Sequence, residues 1–176
     1  MSSLSAEVSK LWSLPVQWGV ALAGVIGPGM LAYFSAIAAA NAGRAALPLE
    51  SRGFEVMGFG QPLVILLAAL IVGSEYAGAQ IRTTLLATPR RMNVFAAKLV
   101  VVALSAGAVA ASGASLAVFV ARVSTPLGLT EAPITISTWA NIGGVVVNYV
   151  LMALLSAGIT VLARTPLVAV IVLVPM

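Results

Sequence analysis

Four long stretches of this sequence, residues 11–43, 56–74, 99–121 and 132–163, carry no charged residue and are mostly apolar, which restricts the folds open to the chain. They predict membrane spans at about residues 19–40, 57–76, 97–121 and 139–163, and a further apolar stretch at 165–176 predicts the start of a fifth span. A helix needs about 20 apolar residues to cross a bilayer. Backbone groups in lipid need internal partners, and the alternating pattern of membrane strands is not visible. We therefore predict an all-α integral membrane protein with a single transmembrane domain, residues 1–176.

Composition supports a membrane location. The chain is 61% hydrophobic and 8% charged, whereas a soluble domain carries about 25% charged residues. The fifth stretch, 165–176, would rise only about 18 Å as a helix, against roughly 30 Å of hydrocarbon. The fifth span is thus expected to be truncated. Either the native product is longer, or this last element lies partly buried against a partner.

Residues 3–15 form a candidate interfacial helix. Leu4, Val8 and Leu11 recur at helical spacing, with polar and charged residues between them. This pattern favours a short amphipathic helix on the inner membrane surface. A frayed, disordered terminus is the alternative.

The distribution of cations predicts the orientation of the spans. With the N-terminus in the cytoplasm, six of the nine Lys and Arg residues lie inside, namely Lys10, Arg82, Arg90, Arg91, Lys98 and Arg164. Three lie outside, namely Arg44, Arg52 and Arg122. Cytoplasmic loops carry the excess of cations, so we expect a multi-pass protein of the cell membrane with a cytoplasmic N-terminus. Five of these cations are expected to face anionic lipid at the membrane surface rather than nucleic acid: Lys10, Arg90, Arg91, Lys98 and Arg164.

Three features inside the spans each allow two interpretations. The Gly-Pro-Gly at 27–29 should kink or locally unwind the first span, either for packing or as a transport hinge. Small residues of the third span, such as Ala106 and Ala110, allow close helix approach, either within the molecule or in a dimer. Asn148, near the middle of the fourth span, either bonds to another helix or contacts a substrate. None of the predicted spans has a charge at mid-membrane, which argues against ion-coupled transport.

The residue types argue against an enzyme active site in this chain. His, Cys and Asp are absent, which removes the usual metal sites and nucleophile systems. The five acidic residues are scattered glutamates, so paired-carboxylate catalysis is not expected. No phosphate-binding Gly-x-x-x-x-Gly-Lys-Ser/Thr loop is present, so any ATP chemistry lies on another protein, and no cofactor is expected here.

One polar segment separates the second and third spans, and we treat residues 77–93 as a cytoplasmic loop. Glu75 closes the second span, and Pro89 ends a short helix predicted at 79–88. Ile81, Leu85 and Leu86 give this helix an apolar side. The segment is either a plain cytoplasmic loop or a docking site for a soluble protein.

Several segments resemble one transporter family. Residues 73–76 (GSEY), 81–91 (IRTTLLATPRR) and 94–98 (VFAAK) look like the first cytoplasmic loop of ABC-2 type transporter permeases. Residues 7–11 (EVSKL) are similar to the E-x-x-K-L start of that family. The similarity runs in register over nearly the whole chain. The family's sixth span and the rest of its fifth have no counterpart here.

The resemblance implies a function and partners. The chain would be the membrane subunit of an ATP-driven exporter of a hydrophobic or amphipathic compound, such as a drug, antibiotic or lipid. It would pair as a homodimer or with a second permease, and a soluble ATP-binding subunit would hold ATP and Mg²⁺. That subunit would receive a coupling helix formed by Glu75, Tyr76, Gln80, Ile81, Arg82, Thr83, Thr84, Leu85, Leu86 and Pro89. The alternative function is a non-transporting membrane scaffold or immunity protein, which the short length and uncharged span centres allow.

Overall fold

The part of the chain that the structure describes is almost entirely helical. A computed structural model describes residues 15–42, 51–77, 91–124 and 135–175. Five helices lie in these ranges: α1 (Pro15–Asn41), α2 (Met57–Ala77), α3 (Arg91–Val123), α4 (Ile136–Ala163) and α5 (Pro166–Leu173). No strand occurs among the described residues. The predicted all-α class is therefore confirmed for that part of the chain.

Four of the described helices are long and apolar enough to cross a membrane: α1, residues 57–74 of α2, residues 95–123 of α3, and α4. Each of the four predicted full spans falls on one of these helices, and the exact number of spans stays a prediction. The fifth stretch contains an eight-residue helix, α5. The predicted interfacial helix at 3–15 lies almost wholly outside the described residues.

The four long helices form a ring in which each packs against two neighbours. The order around the ring is α1, α2, α4, α3, and α2 and α3 also approach each other across its middle. The short helix α5 rests on α2 and α4. Helix α2 is the most covered of the four spans, with 56% of its span buried, whereas α1 has 22%. The core therefore lies along α2, α3 and α4.

The distribution of side chains across the surface is that of a membrane protein. Ser156 and Thr160 are fully buried between helices, whereas Ile26, Leu151 and Leu167 are 49%, 61% and 70% exposed. In water such an outer surface of large apolar side chains would favour aggregation. In lipid the same surface is solvated, and packing of small and polar groups holds the helices together.

The turn before α2 is fixed against α3 by a glycine. Residues 51–56 form consecutive turns, and Gly53 has a φ of +85°, a conformation that costs glycine little. A Cβ at Gly53 would lie 2.8 Å from the carbonyl oxygen of Ala117 on α3. The turn therefore packs directly on the α3 backbone, which places the start of α2 at that end of the ring.

The α4–α5 junction is sharp because of its local sequence. Arg164 adopts the left-handed conformation with φ 56°, and Pro166 then begins α5, where its missing N–H is not needed. The ring of Pro166 packs on α2, where a Cβ at Gly73 would lie 2.9 Å from the proline Cβ. This contact sets α5 back against the bundle.

Two expectations about element boundaries and continuity differ from the structure. Helix α1 continues without interruption through Pro28, so the Gly-Pro-Gly does not unwind the span. Residues 91–93, which we predicted to be part of the cytoplasmic loop, are the first turn of α3. The charged Arg91 and polar Asn93 lowered the apolar signal there, although both residue types are tolerated in a helix that extends beyond the hydrocarbon.

The small residues of α3 pack inside the molecule. Ala106, Ala110, Ala114 and Ala117 are all buried. A Cβ at Gly107 would contact Val150 of α4 at 3.6 Å. Of the two interpretations of this pattern, intramolecular packing is the one that the described residues satisfy.

Candidate functional site

Most of the predicted coupling segment lies outside the described residues. Of its members, the structure describes only the backbone of Glu75 and Tyr76, in the last turn of α2. The others fall within 78–90: Gln80, Ile81, Arg82, Thr83, Thr84, Leu85, Leu86 and Pro89. Helix α2 ends at Ala77 and α3 begins at Arg91, so the two helices bracket the segment.

The predicted surface cations have different environments. Lys10 and Arg90 lie outside the described residues, and only the backbone of Arg91 is described. The Arg164 side chain is exposed. Lys98, however, is 6% exposed and takes part in an interaction within the fold. Lys98 is therefore buried in the protein rather than open to the membrane surface, and it lies about two turns into α3 from Arg91.

A second candidate site is a cleft of about 450 Å³ between α2 and α4. One wall is a stripe along the first half of α4, formed by Ala140, Asn141, Gly144, Val145, Asn148 and Tyr149. The other wall comes from the 51–56 turn and the start of α2, formed by Ser51, Phe54, Met57, Gly58 and Gln61. From Asn141 to Asn148 the cleft runs about 10 Å along the helix, from the end of the ring toward its middle.

The cleft combines amide groups with apolar walls. Gln61, Asn141 and Asn148 bring three carboxamides to it, and Phe54 and Val145 supply apolar surface. Asn141 is engaged in an interaction within the fold. Asn148 is exposed and forms no hydrogen bond with any described residue, so the predicted bond from Asn148 to another helix is absent there. No charged side chain is found among the described residues that line the cleft.

Two glycines keep the cleft open. A Cβ at Gly58 or at Gly144 would meet nothing within 4 Å. Packing therefore does not demand glycine at either position, and larger side chains there would fill empty space.

The base of the cleft is rigidly held. The Tyr149 hydroxyl, on the α4 wall, donates a hydrogen bond to the carbonyl of Met57 at the start of α2. Two turns further along α4, the Ser156 hydroxyl donates to the carbonyl of Ile65 at 2.9 Å. These bonds hold α4 on α2 beneath the cleft, so the cleft is a preformed feature of the helix pair.

A smaller cavity of about 180 Å³ lies elsewhere in the ring, between α1, α2 and α3. It is lined mainly by apolar groups, including Leu67, Ile71 and Val109. Gln17 also lines it, and its buried Oε1 has no hydrogen-bond partner within the described ranges. We assign no role to this cavity.

Sequence reasoning found only part of this site. Asn148 was identified as a possible substrate contact, but Asn141 and Gln61 were not connected with it. A usable signal was present: Asn141, Gly144, Val145 and Asn148 have the spacing i, i+3, i+4 and i+7, which places them on one helix face. The pairing of that face with the start of α2 cannot be read from spacing.

Comparisons of the chain with protein-family models, with curated proteins and with solved structures give no match. Function therefore has to be inferred from the chain's own residues and geometry.

Proposed function

We propose that this chain is the permease subunit of an ABC-2 type ATP-driven exporter, and that residues 77–93 couple it to a separate ATPase subunit. The observation that carries the proposal is the sequence of that segment, with its apolar Ile81 and Leu85, its cationic Arg82 and its terminating Pro89. Helices α2 and α3 enclose the segment on both sides, at Ala77 and Arg91, as a coupling loop requires.

The residues present indicate which steps this chain would perform and which the partner subunit would perform. The sequence has no phosphate-binding loop motif, so ATP and Mg²⁺ would be held by the partner subunit. Closure of that subunit on ATP would move the coupling segment, and α2 and α3 would transmit the movement into the ring. The transported compound would be hydrophobic or amphipathic, in keeping with spans that carry no charge at their centres.

The test is co-purification from the native membrane. We expect the tagged chain, extracted in mild detergent, to retain a P-loop ATPase that is identified by mass spectrometry. Arg82→Glu combined with Leu85→Ala should abolish both that association and efflux, because the change reverses the charge and removes an apolar contact. The matched control is Arg44→Glu with Leu47→Ala, which has the same spacing in the loop predicted to lie outside, and it should leave the association intact.

Two outcomes would overturn the proposal. If the Arg82→Glu, Leu85→Ala variant keeps both its ATPase partner and its efflux, the coupling assignment is wrong. If the wild-type chain never associates with an ATPase, the alternative of a membrane scaffold or immunity protein is favoured instead.

A further inference from the structure

We propose that the cleft between α2 and α4 is a binding site for an uncharged amphipathic small molecule, one with an apolar body and hydroxyl or amide groups. Its use as the substrate site of an exporter rests on the proposed function. Binding itself does not, since the cleft belongs to this chain alone.

The polar groups of the cleft indicate what the ligand must offer. Asn148 projects its carboxamide near the middle of a span and forms no hydrogen bond with any described residue. Gln61, on the facing wall, forms none either. Polar side chains at membrane depth normally find a partner inside the protein. Two amides that lack such a partner among the described residues, on facing walls of a cleft, are placed to donate to and accept from a bound molecule.

Because the described lining residues carry no charge, the cleft favours a ligand without net charge. An ion entering an apolar site loses hydration and gains no opposite charge in return. A neutral hydroxyl or amide loses less and recovers hydrogen bonds from the two carboxamides. The cleft therefore favours neutral molecules over carboxylates or amines of the same length.

Size and shape fit a small amphipathic molecule. The volume of about 450 Å³ falls within the range of small-molecule sites, roughly 300–1,000 Å³. Phe54, Met57 and Val145 form apolar surface for the body of the ligand. Gly58 and Gly144 leave the space between the walls empty, and the hydrogen bond from Tyr149 to Met57 fixes the two walls relative to each other without the ligand.

The experiment is photolabelling of the purified full chain in lipid nanodiscs with an octanol that carries a diazirine. Adducts are mapped by mass spectrometry. We expect them to concentrate on Met57 and Val145 rather than on the lipid-facing residues Leu151 and Leu155.

Gly144→Val should reduce labelling of the cleft at least about tenfold, because it fills space in a small apolar site. Gly143→Val is the matched control: it also has open space around it but does not line the cleft, and it should label like the wild type.

A second variant and further probes test the role of the Asn148 amide and of ligand charge, rather than the volume of the cleft. Asn148→Leu keeps the volume but removes the amide, so labelling by the diazirine octanol should fall while labelling by a diazirine octane is retained. The octanoate and octylamine analogues should label the wild-type cleft several-fold less than the alcohol.

Each opposite result overturns the inference. Labelling that is equal in Gly144→Val and the wild type would place the probe in lipid. Equal labelling by charged analogues would remove the neutral class. Disulfide-linked dimers of Asn148→Cys together with an unlabelled cleft would show that a second copy of the chain fills it. No ATPase is present in this experiment, so its result does not depend on the coupling test. If the coupling test fails but the cleft is labelled, the binding site is supported and the exporter function is not.

Discussion

Two side-chain hydroxyls fix the register between α2 and α4. Tyr149 donates to the carbonyl of Met57, and seven residues later Ser156 donates to the carbonyl of Ile65. The donors and the acceptors advance in the same direction, so the two helices run parallel. Gly60 makes room for the first bond, because a Cβ there would lie 2.6 Å from the Tyr149 hydroxyl oxygen.

Tyr149→Phe should therefore destabilise the fold. The change leaves the ring in place but removes the hydrogen bond from the Tyr149 hydroxyl to the Met57 carbonyl, at a cost of about 1 kcal/mol, as for other hydrogen bonds between membrane helices. Unfolding by titration with sodium dodecyl sulfate in mixed micelles measures it. Tyr33→Phe is the matched control, because Tyr33 is 46% exposed, and it should change stability negligibly. Equal stability of the two variants would show that the Tyr149 bond contributes nothing.

These residues also show where sequence reasoning reaches its limit. One of the two interpretations of Asn148 was a bond to another helix, yet the neighbouring Tyr149 makes such a bond and Asn148 faces the cleft. Adjacent helical residues point about 100° apart. A span that is apolar on nearly every side gives little indication of which direction faces the core, so the partner of each polar side chain could not be assigned.

At the scale of whole helices, the backbones of α1 and α3 approach each other closely at Gly113. A Cβ at Gly113 would lie 2.9 Å from the carbonyl oxygen of Gly24. That same carbonyl lacks its usual helical donor, because Pro28 stands four residues later. The backbone of α3 thus covers the group that the proline leaves unpaired, at the kind of close approach where Cα–H···O contacts form. This arrangement explains how α1 stays continuous through Pro28.

Gly113→Ala should consequently separate α1 from α3. The added methyl meets a backbone oxygen that cannot rotate away, and overpacking of this kind costs about 1–3 kcal/mol. Gly143→Ala is the matched control within a neighbouring helix: its Cβ meets nothing within 4 Å, and the higher helix propensity of alanine should make it neutral or slightly stabilising. Thermal unfolding in detergent followed by circular dichroism compares the two. A Gly113→Ala protein that melts with the wild type would mean that the helices are not in close contact there.

Elements were far more predictable than contacts. Uncharged apolar runs located all four long helices, because span length is set by the bilayer. Their ends were placed less well: α1 begins at Pro15 rather than 19, and α3 at Arg91 rather than 97. A helix can extend beyond the hydrocarbon, so hydropathy does not predict polar first turns such as that of α3. The coupling segment, at 78–90 and outside the described residues, stays a prediction from sequence.

For the molecule as a whole, the ring has chemically distinct ends, and their assignment to the two sides of the membrane decides every functional proposal. One end carries the 51–56 turn, the start of α4 and the mouth of the cleft. The other carries the end of α2 and the start of α3, which bracket the coupling segment. The cation distribution predicts that the second end lies in the cytoplasm. On that prediction the cleft would open toward the outside and the proposed ATPase would dock inside.

Single cysteines test this assignment directly, because the native chain contains none. A membrane-impermeant maleimide should label Ala46→Cys in intact cells and Ala79→Cys only after the membrane is permeabilised. Ala153→Cys, at a fully buried position of α4, should react in neither case and so reports any unfolded protein. The opposite pattern, with Ala79→Cys labelled from outside, would invert the molecule. An inverted chain would present residues 78–90 where no ATP-hydrolysing subunit exists, and it would open the cleft to the cytoplasm, so neither coupling nor release to the outside would be possible by the route proposed here.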